Sequence, residues 1–258
     1  PGPTQFDMHG CPAATEIPIT LQLELGNQLD SLEPPAEPTR MGKFLYIPQS
    51  VATRSLIQKW RLSRKHHVPT ALGDFDVRAI EIREADATMS LESETEVLRK
   101  HFSSLNAPLL EFVASDAKLD VKSAKVGVVF CGRQAPGCHD LLCGMVDMMK
   151  RLEGSKVLGF VGGTKGMFDK QAIELTPEIC EAYRGSGGLE LLGRTVDRFK
   201  TTEELDNALR VCTEMDLTGL VLIGGARTNA DAAYAAEYFK KKGSKTAIVA
   251  VPCGIEGS

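Results

Sequence analysis

From Lys125 onward, four short apolar runs stand apart from the rest of the chain: KVGVVFC (125–131), KVLGFV (156–161), TGLVLIG (218–224) and KTAIVAV (245–251). Amphipathic helical segments separate them. The segment 138–152 places Leu141, Met145, Met148 and Leu152 on one face, and 202–215 places Leu205, Leu209 and Cys212 on one face. The methionines read as core filling. A strand that alternates apolar with polar residues has one wet face, whereas a continuously apolar strand has both faces covered. This pattern predicts an α/β fold, a doubly wound, Rossmann-like parallel sheet with helices on both sides. It excludes an all-β or a purely helical chain.

The residues before this block are less regular. IPITLQLEL (17–25) alternates and predicts a half-exposed strand, EPPAEP (33–38) a linker, and 50–65 an amphipathic helix ending in the basic cluster RLSRKHH. That cluster reads as a solvated face. VRAIEI (77–82) predicts a strand, and SETEVLRKHF (93–102) a helix with Ser93 as its N-cap. The expected division is a mixed, proline-containing extension over 1–120 and an α/β lobe over 121–258. Nothing in the extension resembles a nameable motif.

Composition limits the partners. A formal net charge of −4 gives no general affinity for nucleic acid or for a membrane surface. No apolar run approaches the ~20 residues of a membrane span. The seven cysteines form no paired zinc spacing and predict reduced structural thiols in a cytoplasmic protein. Cys138-His139 is at most half a metal site. The N-terminus lacks a secretory signal and an initiator methionine, and Pro1-GPTQF reads as a cut or engineered end.

In a parallel sheet, ligands bind beyond the carboxyl ends of the strands. Glycine follows every strand here: GRQAPG (132–137), GGTKG (162–166), GGARTN (224–229) and GIEG (254–257), with a fifth loop, GSGGLELLGR (185–194). Several such turns on one edge let backbone approach a phosphate closely. The usual phosphate fingerprints, G-x-x-x-x-G-K-[ST] and G-x-G-x-x-G entering a helix, are absent, which disfavours a dinucleotide enzyme or an ordinary nucleotide hydrolase.

Taken in order, VGVVFCGRQAPGCHD (126–140), LGFVGGTKG (158–166), GGLELLGRT (187–195), LIGGARTNADAAYAAEYF (222–239) and VPCGIEG (251–257) resemble the pyrophosphate-dependent 6-phosphofructokinases over residues 125–258. The resemblance implies a phosphoryl-donor lobe, a fructose 6-phosphate lobe, and transfer of phosphoryl from pyrophosphate to the sugar 1-hydroxyl in glycolysis. Such transfer rests on positioning and on charge neutralisation, with Mg²⁺ in the family. The chain departs from the active pattern in three places. Gly132-Arg133 stands where active members carry a glycine pair. Gly224-Gly225-Ala226-Arg227-Thr228 stands where they carry Gly-Gly-Asp-Asp-Ser, so Ala226 and Arg227 occupy the acidic, metal-holding positions. Cys253-Gly254-Ile255-Glu256 stands where they carry Lys-Thr-Ile-Asp, so Glu256 is a lengthened base position and the lysine is lost.

The R-Q and L-L-G-R-T wording is most similar to the non-catalytic alpha-type subunits or domains, whose oligomers include a catalytic beta-type partner. The expectation is therefore a silent regulatory or structural half that does not bind Mg²⁺ and ends before the sugar-phosphate lobe. Gly132, Arg133, Lys165, Arg194, Gly224, Gly225, Arg227 and Thr228 are the candidate anion site, suited to a phosphate or sugar-bisphosphate effector. The competing reading pairs the arginines with acids such as Asp140, Glu190 or Asp231. Two other functions stay open: an atypical active phosphofructokinase domain using Glu256 as base, and a non-enzymatic α/β assembly module.

Overall fold

The computed structural model of the protein describes residues 39–41, 44–46, 80–84, 96, 100–104, 110–115, 123–132, 136–195 and 198–254. The strand expected at 17–25, the linker at 33–38 and the helix with its basic cluster at 50–67 lie outside the described residues.

Two hairpin-like pairs come first. β1 (Thr39–Met41) runs antiparallel to β2 (Phe44–Tyr46), and β3 (Ile80–Glu84) runs antiparallel to β4 (Leu110–Ala114). β3 falls on the strand expected at 77–82, whose first three residues lie outside the described residues, and β4 has no counterpart in the sequence reading. Residues 96, 100 and 101 are helical, inside the segment expected to be a helix. Residues 102–104 dock on the helix α5 (Ala226–Lys241): Ser103 Oγ and the Ser104 N–H donate to the Glu237 carboxylate at 3.2 and 2.9 Å, and Phe102 lies 5.1 Å from Tyr234 ring to ring.

The principal sheet has the order β7-β6-β5-β8-β9, with β5 (Lys125–Phe130), β6 (Lys156–Phe160), β8 (Gly219–Gly224) and β9 (Ala247–Pro252) mutually parallel. β7 (Ala172–Glu174) adds an antiparallel edge to β6. Side chains alternate between the two faces. Val128 and Phe130 of β5 and Val221 and Ile223 of β8 enter one core, under α1 (Cys138–Met149) and α3 (Pro177–Tyr183). Val129, Leu220 and Leu222 enter the other, under α2 (Gly163–Phe168), α4 (Thr202–Glu214) and α5. Both faces are covered at β5 and β8, as continuous apolar strands require.

Three expectations need correction. The three-residue edge β7 was missed because so short a run carries no measurable period. β9 is as apolar as the other strands but is largely exposed at the sheet edge, with Val249 at 48%. In α1 the buried face is Cys138, His139, Leu142, Cys143 and Val146, while Leu141 is 38% exposed and Met145 and Met148 are only partly buried. The sequence reading followed the large aliphatic residues. The true stripe includes two cysteines and a histidine beside Leu142 and Val146, and a count of large apolar residues undervalues them. In α4, Leu205 and Cys212 are buried and Leu209 partly so, as expected. A capping box fixes its start: Glu204 N–H donates to Thr201 Oγ1 at 3.2 Å, and Thr201 N–H returns to Glu204 at 2.8 Å.

Candidate functional site

The carboxyl ends of three of the four parallel strands, β5, β8 and β9, are tied together by backbone. Cys131 N–H donates to Ile223 O at 2.8 Å, joining the end of β5 to β8, and Cys253 N–H donates to Gly224 O at 2.7 Å, joining the end of β9 to β8. The glycines behave as close-approach residues. Gly132 is left-handed at φ +78°, and a Cβ there would stand 3.4 Å from Thr228 Oγ1 and 3.6 Å from Gly225 N. A Cβ on Gly224 would collide with Thr228 Oγ1 and lie 2.8 Å from Cys131 O. Gly132, Gly224, Gly225 and Thr228 therefore form one tight cluster, with Thr228 buried.

Gly225 is the N-cap of α5 and offers no side chain to its first turn. The first N–H groups of a helix have no partner within it and carry the positive end of its dipole. That turn contains no acidic residue; Ala226 and Arg227 there are both exposed. Among the described residues, no hydrogen bond or ion pair engages the Arg227 guanidinium, and the buried Asn229 Oδ1 has no hydrogen-bond partner. Arg227 thus adds a cation to the positive end of a helix. Arg227→Asp is expected to raise stability by about 0.5–1 kcal/mol at low salt, read by urea denaturation, with the gain shrinking as salt is added.

Arg194 reaches the cluster, donating from Nη1 to Gly132 O at 2.8 Å. Its loop is held over the β6 end, where Gly162 N–H donates to Leu192 O at 2.6 Å and Lys165 N–H to Thr195 Oγ1 at 3.3 Å. Lys165 is exposed on α2, and no contact joins its ammonium group to Arg194 or Arg227 among the described residues. Arg133 and Glu256 lie outside the described residues. The acids proposed as arginine partners are engaged otherwise. Asp231 is buried and takes a bidentate bond from Arg198, at 2.7 and 2.5 Å; Asp140 accepts from Gly185 N–H at 2.7 Å. Glu190 lies 3.8 Å from His139. None of them pairs with Arg194 or Arg227.

His139 is the residue whose role the sequence reading missed. Its ring is 1% exposed; Nε2 accepts from Leu191 N–H at 3.1 Å and Nδ1 meets Ser186 Oγ at 3.0 Å. Burial keeps its pKa below the ordinary value, opposed by Glu190, so the ring is neutral and donates from Nδ1. It anchors α1 to the 185–194 loop, and Gly188 N–H, donating to Pro136 O at 3.2 Å, closes the same seam. The only sequence signal was its place at the head of a helix behind a glycine loop.

Residues 125–257 match the Phosphofructokinase family. The chain belongs to the phosphofructokinase family. Among its relatives, this phosphofructokinase chain is 36% identical to pyrophosphate–fructose 6-phosphate 1-phosphotransferase subunit alpha 1 of Arabidopsis thaliana over 211 residues, 79% of this chain and 34% of that one. It is 40% identical to subunit beta 2 of the same organism over 146 residues, 56% of this chain and 25% of that one. A crystal structure of the pyrophosphate-dependent phosphofructokinase from Marinobacter aquaeolei superposes with a TM-score of 0.44 at 15% identity, covering 51% of this chain and 33% of that one. The phosphofructokinase chain spans about a third of the length of the alpha relative. That alignment is longer than the family match and so reaches into the residues before Lys125, where the sequence reading found no named resemblance.

Proposed function

We propose that this chain is the phosphoryl-donor lobe, residues 121–258 behind an extension over 1–120, of a catalytically silent alpha-type half of a pyrophosphate-dependent phosphofructokinase. It serves a catalytic beta-type partner in a structural or regulatory role, in the cytoplasm. The observation that carries this reading is the first turn of α5, which has a cation and no carboxylate at the glycine cluster. Mg²⁺ takes oxygen ligands, carboxylates and phosphates above all. Ala226 and Arg227 offer none, so these residues do not fit the metal and no catalytic step runs through it here. The same turn retains what an anion needs: helix N–H groups, Arg194 on Gly132, and Arg227 free of a partner among the described residues. A phosphate or sugar-bisphosphate effector suits it.

The test is an assay of the full polypeptide with Mg²⁺, pyrophosphate and fructose 6-phosphate. Alone it is expected to form no fructose 1,6-bisphosphate above background, and with a beta-type partner it is expected to alter that partner's turnover or affinity. Stoichiometric product from the polypeptide alone overturns the reading and favours Glu256 as a working base. Restoring Ala226→Asp, Arg227→Asp and Arg133→Gly together should not lower activity if the site is silent. For the anion, inorganic phosphate at about 100 times its Kd would add about 2.7 kcal/mol of stability. A melting temperature unmoved by millimolar phosphate or fructose 1,6-bisphosphate removes the effector from the proposal.

A further inference from the structure

The cysteines are not scattered through the cores. Two pairs of thiols both start from α1. Cys143 donates to Cys180 O at 3.2 Å, and both residues are sealed, at 1% and 0% exposure. The other pair lies at the strand ends. Cys138 is the first residue of α1 and is fully buried; Cys253 follows β9, is only partly buried, and packs against the core that contains Cys138. Both thiols belong to the same core, and Cys253 Sγ stands 3.3 Å from where a Cβ on Gly137, the residue before Cys138, would be. The Cys253 N–H bond to Gly224 O holds that loop beside the glycine cluster.

We propose that Cys138 and Cys253 form an oxidisable dithiol, a modification site that a hydroperoxide converts to a disulfide beside the glycine cluster. The accessible thiol reacts first. Cys253 sulfur attacks one oxygen of the peroxide, forming Cys253–SOH; the O–O bond breaks and the other oxygen leaves as water with the thiol proton. Cys138 sulfur then attacks the sulfenyl sulfur. The S–O bond breaks, hydroxide leaves and takes the Cys138 proton as water, and the S–S bond forms. Two thiols lose two electrons to one hydrogen peroxide, which becomes two waters. The bond joins the start of α1 to the end of β9, two segments far apart in sequence, beside the glycine cluster that Cys253 N–H already borders. Cys143 of α1 and Cys180 of α3 have no exposed member, and they serve as an internal control. This inference rests on thiol placement and holds whether or not the lobe is catalytically silent.

The experiment treats the native full chain with hydrogen peroxide, blocks remaining thiols by alkylation, and maps tryptic peptides by mass spectrometry. Cys138 and Cys143 fall in peptide 134–150, Cys253 in the peptide that starts at Thr246 and Cys180 in 171–184. The expected product joins 134–150 to the Thr246 peptide with a loss of about 2 Da, fragmentation places the link on Cys138, and dithiothreitol reverses it. Cys180 remains reduced. Cys253→Ser should abolish the link, and Cys138→Ala should leave Cys253 as a sulfenic acid that dimedone traps. Cys253→Ala, at a partly exposed loop position, gives a second folded control. A link from Cys253 to another cysteine, a Cys131–Cys138 link, or over-oxidation of Cys253 with Cys138 still free would each overturn the proposal.

Discussion

Gly166→Ala is expected to destabilise the protein by more than ~3 kcal/mol, its added methyl making the closest clash among the described glycines. The added Cβ would collide with the carbonyl oxygen of Val161 and lie 2.6 Å from its carbonyl carbon. Those atoms are backbone, so no rotamer change relieves the clash; α2 must shift or the β6–α2 turn must open. The turn has little slack. Gly166 N–H donates to Gly162 O at 3.2 Å, Val161 N–H to Gln171 O at 2.8 Å, and Gln171 N–H to Gly166 O at 2.8 Å. Overpacking a buried site costs about 1–3 kcal/mol when side chains can move, and more when only backbone can. Urea denaturation of both proteins measures the difference. A loss below about 1 kcal/mol would mean that α2 is free to slide, against the bonds just described.

His139→Ala is expected to cost about 3 kcal/mol and to flatten part of the acid limb of stability. The substitution leaves Leu191 N–H without its acceptor in a buried setting and opens a cavity between Phe130 and Tyr183, whose rings lie 6.0 and 5.0 Å from the imidazole. His139→Gln, which can accept from Leu191, should lose less. The pH effect has a definite sign. Folding holds the imidazole pKa below its unfolded value, through burial foremost and against the pull of Glu190 and Asp140. The unfolded chain therefore binds the proton that the folded chain refuses. The His139 contribution is complete above ~6.5 and is lost as pH falls below that value. Denaturation midpoints of wild type and His139→Ala should converge as the medium is acidified from pH 7 toward 5. A constant gap across that range would assign His139 a purely steric role.

Both predictions concern contacts that period and composition do not reveal. GGTKG announces a tight turn, and a turn it is, with Gly162 and Gly163 at φ +90° and +63°. That its last glycine must also clear the Val161 carbonyl depends on how α2 folds back over the end of β6. His139 stood in the sequence beside Cys138 and was dismissed as half a metal site. Its partners, Ser186 and Leu191, are about fifty residues downstream in a loop that lacks periodicity. Asp231 likewise sits only four positions beyond Arg227, yet the bidentate bond goes to Arg198, because Asp231 is on the buried face of α5.

The strand starts of the parallel sheet were legible to within about two residues, since a strand buried on both faces has to be apolar throughout, and this requirement is written locally. The charge reversal at Ala226-Arg227 was legible for the same reason: it is a matter of residue type at a position that the surrounding glycines identify. What only the tertiary structure decided is pairing. The antiparallel edge β7, the face of α1 that buries two cysteines and a histidine, the exposure of β9, and the meeting of Cys138 with Cys253 in one core all depend on which distant segments become neighbours. A local run of residues records its own burial requirement, but contact between segments over a hundred positions apart is selected by the packing of the whole sheet.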